Sequence, residues 1–284
     1  MQLKEGGLEL PAFGSLFPRV GYHAVYEKSI REAIDLAIEH GFSSVQIETA
    51  MPQFFPERCD PQTRREIGDY AEDGNVTLKV HAPGEDFSLQ TLHSSVQRAV
   101  LERLKEVIDF ACDLGAKMVT VHSGIVPVFT VPAKGGVPIN VQYPALCAQR
   151  LKTALAELAD YSEGRILLCV ENSPLSATLM NLLPEMLEDG KLSLAWDLAK
   201  MYKADRTVDA EVESFFMEHL GKVRECHLHD RTRKHGHQII GEGFVDFKRY
   251  LSLLSDYDVE YTIEVRPIEN AVKSLEALRK IIGQ

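Results

Sequence analysis

The sequence predicts an α/β protein built as a single (β/α)8 barrel, the TIM barrel. Apolar runs rich in β-branched residues alternate with segments of helical periodicity, which is typical of buried parallel strands and crossover helices. Eight such pairs fit a closed barrel better than an open doubly wound sheet. No G-x-G-x-x-G motif follows the first strand, which removes the best support for a dinucleotide-binding fold. Because 284 residues slightly exceed one barrel, we expect one domain over residues 1–284.

The predicted elements follow one another in a regular order. Apolar runs predict strands at residues 16–23, 44–48, 76–81, 117–122, 166–171, 192–197, 223–229 and 261–264. Amphipathic periodicity predicts helices at residues 28–40, 61–73, 89–114, 142–161, 175–187, 210–220, 247–255 and 270–282. Gly41, Gly115 and Gly190 follow three of these helices, where glycine suits the left-handed helix stop.

Composition limits the classes of partner. The chain carries 31 basic and 42 acidic residues, a net charge of −11, which disfavours general attraction to nucleic acid. Arg224, Arg231, Arg233 and Lys234 could form a local basic face near the seventh strand, although a solvated loop is the commoner arrangement. No apolar stretch approaches the roughly 18 residues of a membrane span, and the first residues lack a signal-peptide core. Five cysteines without paired spacing indicate reduced thiols, so we expect a cytoplasmic protein.

The ends of the predicted strands carry the residues suited to chemistry. In a parallel barrel these ends meet at one face, where active sites are built. They carry His81, His122, Glu171, Asp197, His227 and Glu264. A carboxylate such as Glu171 or Glu264 is costly to bury without a partner, and a cation is the simplest partner. With Asp197 and His227 these glutamates suit a divalent ion, and the mixed oxygen and nitrogen ligands do not choose among Mn, Mg, Zn and Co.

The long segment after the fourth strand, residues 123–143, contains several Pro and Gly residues and follows the same face. Long loops at the active-site face of a barrel are often functional. We interpret this segment as a lid or substrate-binding loop, with a simple insertion as the alternative.

Several short motifs occur in order along residues 40–270. They are His81-Ala82-Pro83, His122-Ser123-Gly124, Glu171-Asn172, Asp197-Leu198-Ala199-Lys200, His227-Leu228-His229-Asp230, His237 four residues before Gly241-Glu242-Gly243, and the strand-eight Glu264. In this order and spacing they resemble the xylose-isomerase-like barrel superfamily. That superfamily joins sugar isomerases and epimerases with apurinic/apyrimidinic (AP) endonucleases of the endonuclease IV type, AP endonuclease family 2.

The resemblance implies a metal site at Glu171, Asp197, His227 and Glu264. In the isomerase and epimerase branch, one ion there chelates substrate oxygens while the two glutamates form the acid/base pair. In the endonuclease branch, His81 and His122 hold a second zinc that shares Glu171. The resemblance therefore implies one or two ions.

A third zinc in the endonuclease branch needs a histidine three residues after the strand-six aspartate and an Asp-x-His after strand seven. Here Lys200 and His235-Gly236-His237 stand at these places. An ammonium has no lone pair and would repel a third cation. We expect Lys200 and Arg266 to bind a substrate phosphate, carboxylate or enediolate oxygen, and His235 and His237 to contact substrate or the first metals. The alternatives are a surface position for Lys200 and a salt bridge for Arg266.

Three further residues at strand ends receive weaker assignments. His229 is expected to face away from His227 and to have a structural role. His23 and Glu48 end the first two strands, where lining the pocket and a structural hydrogen bond are both open.

The favoured hypothesis is a metal-dependent isomerase or epimerase of a small sugar or sugar phosphate. Glu171 or Glu264 would remove the proton next to the carbonyl, giving a cis-enediolate, and the same or the opposite carboxylate would return it. The alternatives are a zinc-dependent phosphodiesterase that cleaves abasic DNA and a barrel without turnover that acts as a binding module. The expected partner is a small-molecule sugar, nucleic acid is disfavoured, and a homo-oligomer is compatible with the sequence.

Overall fold

Eight parallel strands close into a barrel, so the predicted fold class is confirmed. The computed structural model describes residues 16–84, 87–125, 128–131 and 135–283. The barrel strands are β1 (Val20–Ala24), β2 (Ser44–Glu48), β3 (Thr77–His81), β4 (Met118–His122), β7 (Leu167–Glu171), β8 (Ser193–Asp197), β9 (Val223–Leu228) and β10 (Glu260–Ile263). Strands β5 (Val128–Val131) and β6 (Gly135–Pro138) form a separate antiparallel hairpin. The order around the barrel is β1-β10-β9-β8-β7-β4-β3-β2, so β3 and β9 lie on opposite sides of it.

Helices follow the barrel strands in the chain. They are α1 (Ile30–His40), α2 (Pro61–Asp73), α3 (Ser94–Asp113), α5 (Pro144–Ser162), α6 (Ala177–Glu188), α7 (Ala210–Glu218), α8 (Phe247–Leu254) and α9 (Ile268–Ile282), with a short α4 (Ile139–Gln142) before α5. Several begin at a side chain that accepts a backbone hydrogen bond, such as Ser29 from Glu32 and Asp60 from Gln62 and Thr63. Among the residues described, no helix combines the length and apolar character needed to cross a bilayer.

Three predicted elements differ clearly from the structure. The strand expected from residue 16 begins at Val20, because Phe17–Arg19 form a short 3-10 helix before it. The helix expected from residue 89 begins at Ser94, because the preceding segment is tied to the loop after β4 instead. The backbone N–H of Leu89 donates to Ser123, and its carbonyl accepts from the Gln97 side chain. The segment 123–143, predicted as a loop, contains the β5–β6 hairpin and α4, although residues 126–127 and 132–134 lie outside the described parts.

The strands fill the barrel interior in layers, because side chains two residues apart on a strand share a face. The upper layer consists of residues that lie within one position of the strand ends: His23, Glu48, His81, His122, Glu171, Asp197, His227 and Glu264. Two residues earlier on each strand lies the lower layer: Gly21, Gln46, Lys79, Thr120, Cys169, Ala195, Glu225 and Thr262. At Gly21 only a glycine fits, since a Cβ atom would lie 2.0 Å from Ser44 Oγ. The lower layer is unusual because much of it is polar and yet buried.

Candidate functional site

All eight barrel strands deliver an ionisable side chain to the upper layer. Seven of these residues are buried and His122 is only slightly exposed. The six strand-end residues expected to converge do so at this face, together with His23 and Glu48, for which the sequence left two interpretations open. The convergence follows from the closed parallel barrel, which brings positions 23 to 264 to one mouth.

Glu171 links the two histidines of β3 and β4. Its Oε2 lies 2.8 Å from His122 Nε2 and 3.2 Å from His81 Nε2, while its Oε1 accepts from Lys200 Nζ at 3.1 Å. The loop after β3 packs closely on the ring of His122, since a Cβ atom at Gly84 in this loop would lie 2.3 Å from His122 Nδ1. Burial opposes ionisation of Glu171, but Lys200 and the histidines hold its pKa well below the usual value. The carboxylate is therefore an anion that can bind a cation or accept a proton.

Asp197 is held by the backbone around it. Asn172 accepts from the Asp197 N–H at 2.7 Å and donates to its carbonyl at 2.9 Å, which ties the ends of β7 and β8 together. Its Oδ1 accepts from the N–H groups of Ala199 and Lys200. Its Oδ2 lies 3.0 Å from His229 Nε2. The carboxylate is thus fixed in direction before any ligand arrives.

Glu264 and His227 complete the centre of the site. His227 Nδ1 lies 3.3 Å from Glu264 Oε1 and 3.5 Å from Glu171 Oε2, yet it has no hydrogen-bond partner although it is buried. Asp197, His227 and Glu264 each offer one potential metal-ligand atom, and these three atoms lie within 4.8 Å of one another. The same is true of a second group, His81, Glu171 and His227. A buried, unpartnered imidazole nitrogen among carboxylates is suited to a metal ion.

His23 and Glu48 connect the two glutamates on the side opposite β8. Glu48 Oε2 lies 3.3 Å from His23 Nε2 and 3.2 Å from His81 Nδ1. His23 Nδ1 lies 3.3 Å from Glu264 Oε1, and the Arg266 guanidinium is its closest partner. Burial, with help from Arg266, lowers the pKa of His23 to about 4, so this imidazole is neutral at pH 7. Both residues therefore line the site, where His23 is hydrogen-bonded through Nδ1 while its buried Nε2, facing Glu48, has no hydrogen-bond partner.

The four predicted substrate-binding residues occupy different places. Lys200 is part of the cluster, with Nζ 2.6 Å from Ser173 Oγ and 3.7 Å from Asp197 Oδ2, so it is not a free surface residue. His237 Nδ1 donates to the Glu264 backbone carbonyl at 3.0 Å, and its side chain is 41% exposed at the mouth. His235 is exposed, and its described hydrogen bonds are to Thr232, through the backbone. Arg266 is held against His23, as described above.

One expectation about a neighbouring residue was wrong. His229 faces the same side as His227, because residues two apart on a strand share a face. Its Nε2 contacts Asp197, and its ring stacks on His237 with 4.1 Å between centroids. Arg224 lies at the start of β9 and bonds Gly221 O, whereas Arg231 follows its other end. Arg224 therefore does not join Arg231 in one basic face, which agrees with the solvated loop that the sequence favoured.

Sequence reasoning missed the charged residues beneath the site. Lys79 and Glu225 pair at 3.2 Å, and both are fully buried. The available signal was a charge inside each apolar run, two residues before a strand-end histidine. Their pairing could not be read from the sequence because they lie on opposite strands.

The comparisons with known proteins agree with this architecture. The sequence pattern of the family described as xylose isomerase-like TIM barrel matches residues 34–281. The chain is 23% identical over 270 residues to the uncharacterized protein MJ1311 of Methanocaldococcus jannaschii, a match covering 90% of this chain and 85% of that protein. Because the family match extends over most of the sequence, the family is established independently of the site geometry.

Solved structures give the same fold. A D-tagatose 3-epimerase-like protein superimposes with a TM-score of 0.73 at 22% identity, covering 93% of this chain and 97% of that chain. The 3-keto-D-glucoside 4-epimerase YcjR from E. coli gives 0.71 at 13% identity, covering 92% and 99%. D-allulose 3-epimerase from Methylomonas sp., in complex with D-allulose, gives 0.68 at 17% identity, covering 93% and 98%. The chain thus belongs to the xylose isomerase-like TIM barrel family.

Proposed function

We propose that the protein is a divalent-metal-dependent isomerase or epimerase of a small sugar or sugar derivative. The observation that carries this proposal is the unpartnered His227 Nδ1, buried between Glu171 and Glu264 and within reach of Asp197. The sugar epimerases that share the fold support the class of substrate.

The charge of the cluster fits a divalent cation. Burial alone would lower the pKa of His227, but the carboxylates around it, Glu264 first, raise it to about 9. Glu48 and Glu171 likewise raise the pKa of His81 well above its usual value, against the effect of burial. The carboxylates therefore draw protons onto imidazoles that would otherwise be neutral. A cation held by Glu171, Asp197, His227 and Glu264 would replace that positive charge.

The two glutamates provide the acid and base. Each is buried and ionised, because neighbouring cations and imidazoles outweigh the cost of burial and hold both pKa values well below the usual range. They approach the same nitrogen of His227 from β7 and from the end of β10, so a substrate between them would present a C–H bond to one or the other. One carboxylate takes that proton, and the same or the opposite one returns it. An ion held there would acidify the C–H bond by withdrawing electrons from the adjacent carbonyl oxygen.

Lys200 is the residue positioned to stabilise developing negative charge. Its ammonium lies 3.1 Å from Glu171 and is 28% exposed toward the mouth. When Glu171 takes up a proton, the attraction between them weakens, and the ammonium can turn to a substrate oxygen that becomes negative. Among the remaining predicted substrate contacts, His237 at the mouth is the better placed and exposed His235 the less well placed.

A second candidate is a phosphodiesterase acting on abasic DNA. The observation that favours it is the approach of both His81 and His122 to the same oxygen of Glu171, at 3.2 and 2.8 Å, which suits a second ion. Against it stands the Lys200 ammonium, which occupies the space between Glu171 and Asp197. The net charge of −11 also disfavours binding to a polyanion.

Proton exchange distinguishes the two candidates. The purified protein, supplied with Mn²⁺, would be incubated in heavy water with a panel of ketoses, aldoses and their phosphates. We expect deuterium at the carbon next to the carbonyl of at least one sugar, because isomerisation and epimerisation both break a C–H bond. Nicking of an abasic DNA duplex, with binding that weakens steeply with salt and no deuterium uptake by any sugar, would replace the proposal by the second candidate.

The number of ions is a separate prediction. We expect zinc-edge anomalous scattering from zinc-loaded crystals to give one peak among Glu171, Asp197, His227 and Glu264. If His81 and His122 also bind, a second peak should lie about 3.5–4 Å away. No peak is expected beside Lys200, because an ammonium offers no lone pair. A third peak at that lysine would contradict our assignment and favour the nuclease.

A further inference from the structure

The lower layer of the barrel contains a buried ion pair directly beneath the site. Lys79 of β3 and Glu225 of β9 come from opposite sides of the barrel and meet at 3.2 Å, both fully buried. Glu225 Oε1 also accepts from Thr262 Oγ1 at 2.8 Å, and its Oε2 accepts from Thr120 Oγ1. Gln46 Nε2 lies 3.0 Å from both oxygens. The carboxylate is therefore surrounded by donors.

This arrangement determines how Glu225 meets His227. Its Oε2 lies 3.3 Å from His227 Nε2. Gln46 Nε2 also lies 3.4 Å from His227 Nε2, but its two N–H groups have closer acceptors in the two oxygens of Glu225. A carboxylate accepts hydrogen bonds and does not donate them, so the form of His227 with a hydrogen on Nε2 fits Glu225, whereas a lone pair there would face a negatively charged oxygen. The other nitrogen, Nδ1, points to the upper layer and has no partner.

We infer that Glu225, neutralised by Lys79, is a positioning residue that keeps the hydrogen of His227 on Nε2 and presents Nδ1 to a metal ion. The inference rests on the proposed metal-dependent function and adds the residues that prepare its histidine ligand. A ligating histidine commonly donates its second N–H to a carboxylate, which fixes the ring and makes the first nitrogen a better ligand.

The energetics of burial agree with this role. A buried ion pair is often no more stabilising than apolar residues of similar volume, because desolvating two charges offsets their attraction. Fold stability alone therefore does not explain a lysine and a glutamate inside the barrel. In the lower layer, a carboxylate is needed to accept a hydrogen bond from His227. Lys79 pairs with this Glu225 carboxylate and so offsets the cost of burying an unpaired charge.

The experiment compares two double variants with a matched control. Lys79→Met/Glu225→Leu removes both charges and the acceptor, whereas Lys79→Met/Glu225→Gln keeps an oxygen that can accept from His227. The control, Lys117→Met/Glu260→Leu, removes another Lys–Glu pair, which joins the first residue of β10 to the residue before β4 at 2.7 Å, at the end of the barrel away from the site. Zinc affinity would be measured by competition with a chromophoric chelator. In metal-free, ¹⁵N-histidine-labelled protein held well above pH 9, where His227 carries a single hydrogen, NMR would show whether that hydrogen lies on Nε2.

We expect the leucine variant to bind zinc about 10- to 100-fold more weakly than the wild type, as for other partners of metal ligands. The glutamine variant should lose less and the control nothing. The exchange-protected Nε2–H signal of His227 should be present in the wild type and lost in the leucine variant. If the leucine variant does not fold, Lys79→Met/Glu225→Met, which also lacks an acceptor oxygen, carries the test, and wild-type affinity with an unchanged signal in it contradicts the inference.

Failure of the inference and of the proposed function can be told apart. Wild-type zinc affinity and an unchanged Nε2–H signal in the leucine variant would overturn the inference while leaving the metal site. If the wild type binds no metal through its four ligands, the proposed function fails. The NMR signal then tests the inference by itself. Loss of the signal in the leucine variant supports the claim that Glu225 keeps the hydrogen on His227 Nε2, and persistence of the signal refutes that claim.

Discussion

Glu264→Gln is expected to abolish the deuterium exchange into a sugar substrate even when excess Mn²⁺ keeps the metal site filled. Glutamine keeps the size of the side chain and one oxygen, but it cannot accept a proton at neutral pH. Removal of a general base commonly costs 10²- to 10⁴-fold in rate, on the order of 3–5 kcal/mol. The measurement is the initial rate of deuterium uptake by mass spectrometry, with zinc or manganese content determined on the same samples.

Glu260→Gln is the matched control, because Glu260 starts the strand that leads to Glu264. Its carboxylate contacts Lys117 at 2.7 Å at the opposite end of the barrel, so the exchange should proceed at the wild-type rate. If Glu264→Gln retained full exchange with its metal in place, Glu264 would not be the base. Glu171 would then be the remaining carboxylate for that role.

The second large effect is expected on the metal itself. Glu171→Gln should lose the tightly held ion, because the variant replaces an anionic ligand at the centre of the site by a neutral amide. Changing only the hydrogen-bond partners of metal ligands costs about 10- to 100-fold in affinity, so loss of a ligand should cost more than about 100-fold. Elemental analysis of protein purified without added metal, followed by chelator competition, measures the change.

Glu157→Gln provides the control for this variant. Glu157 lies on α5, where it pairs with Lys105 at 2.7 Å on the outer surface, so its loss should leave the metal content unchanged. Equal metal content in wild type and Glu171→Gln would show that the ion, if any, is held elsewhere. The His23, Glu48 and His81 group would be the next place to examine.

The sequence by itself determined the barrel and the face at which its reactive residues meet. The physical reason is local: apolar runs of strand length that alternate with amphipathic segments can bury themselves in few ways. In a parallel barrel, a residue at the end of a strand reaches the common mouth wherever it lies in the chain. His81 and Glu264 are therefore neighbours of the same cluster although 183 positions separate them. The helix that starts at Ser94 instead of residue 89 marks the limit of local patterns, because contacts with Ser123 decide it.

Only the tertiary structure decided which side chains touch. Lys200 is read from the sequence as a cation near the site, but its contact with Glu171 depends on how the turn after β8 directs a long flexible side chain. Glu225 and Lys79 look like isolated charges in two apolar strands. They become partners because closure of the sheet places β9 opposite β3 with both residues at the same height. Such contacts depend on strand order and tilt over the whole barrel, and a sequence pattern describes only the neighbours along one strand.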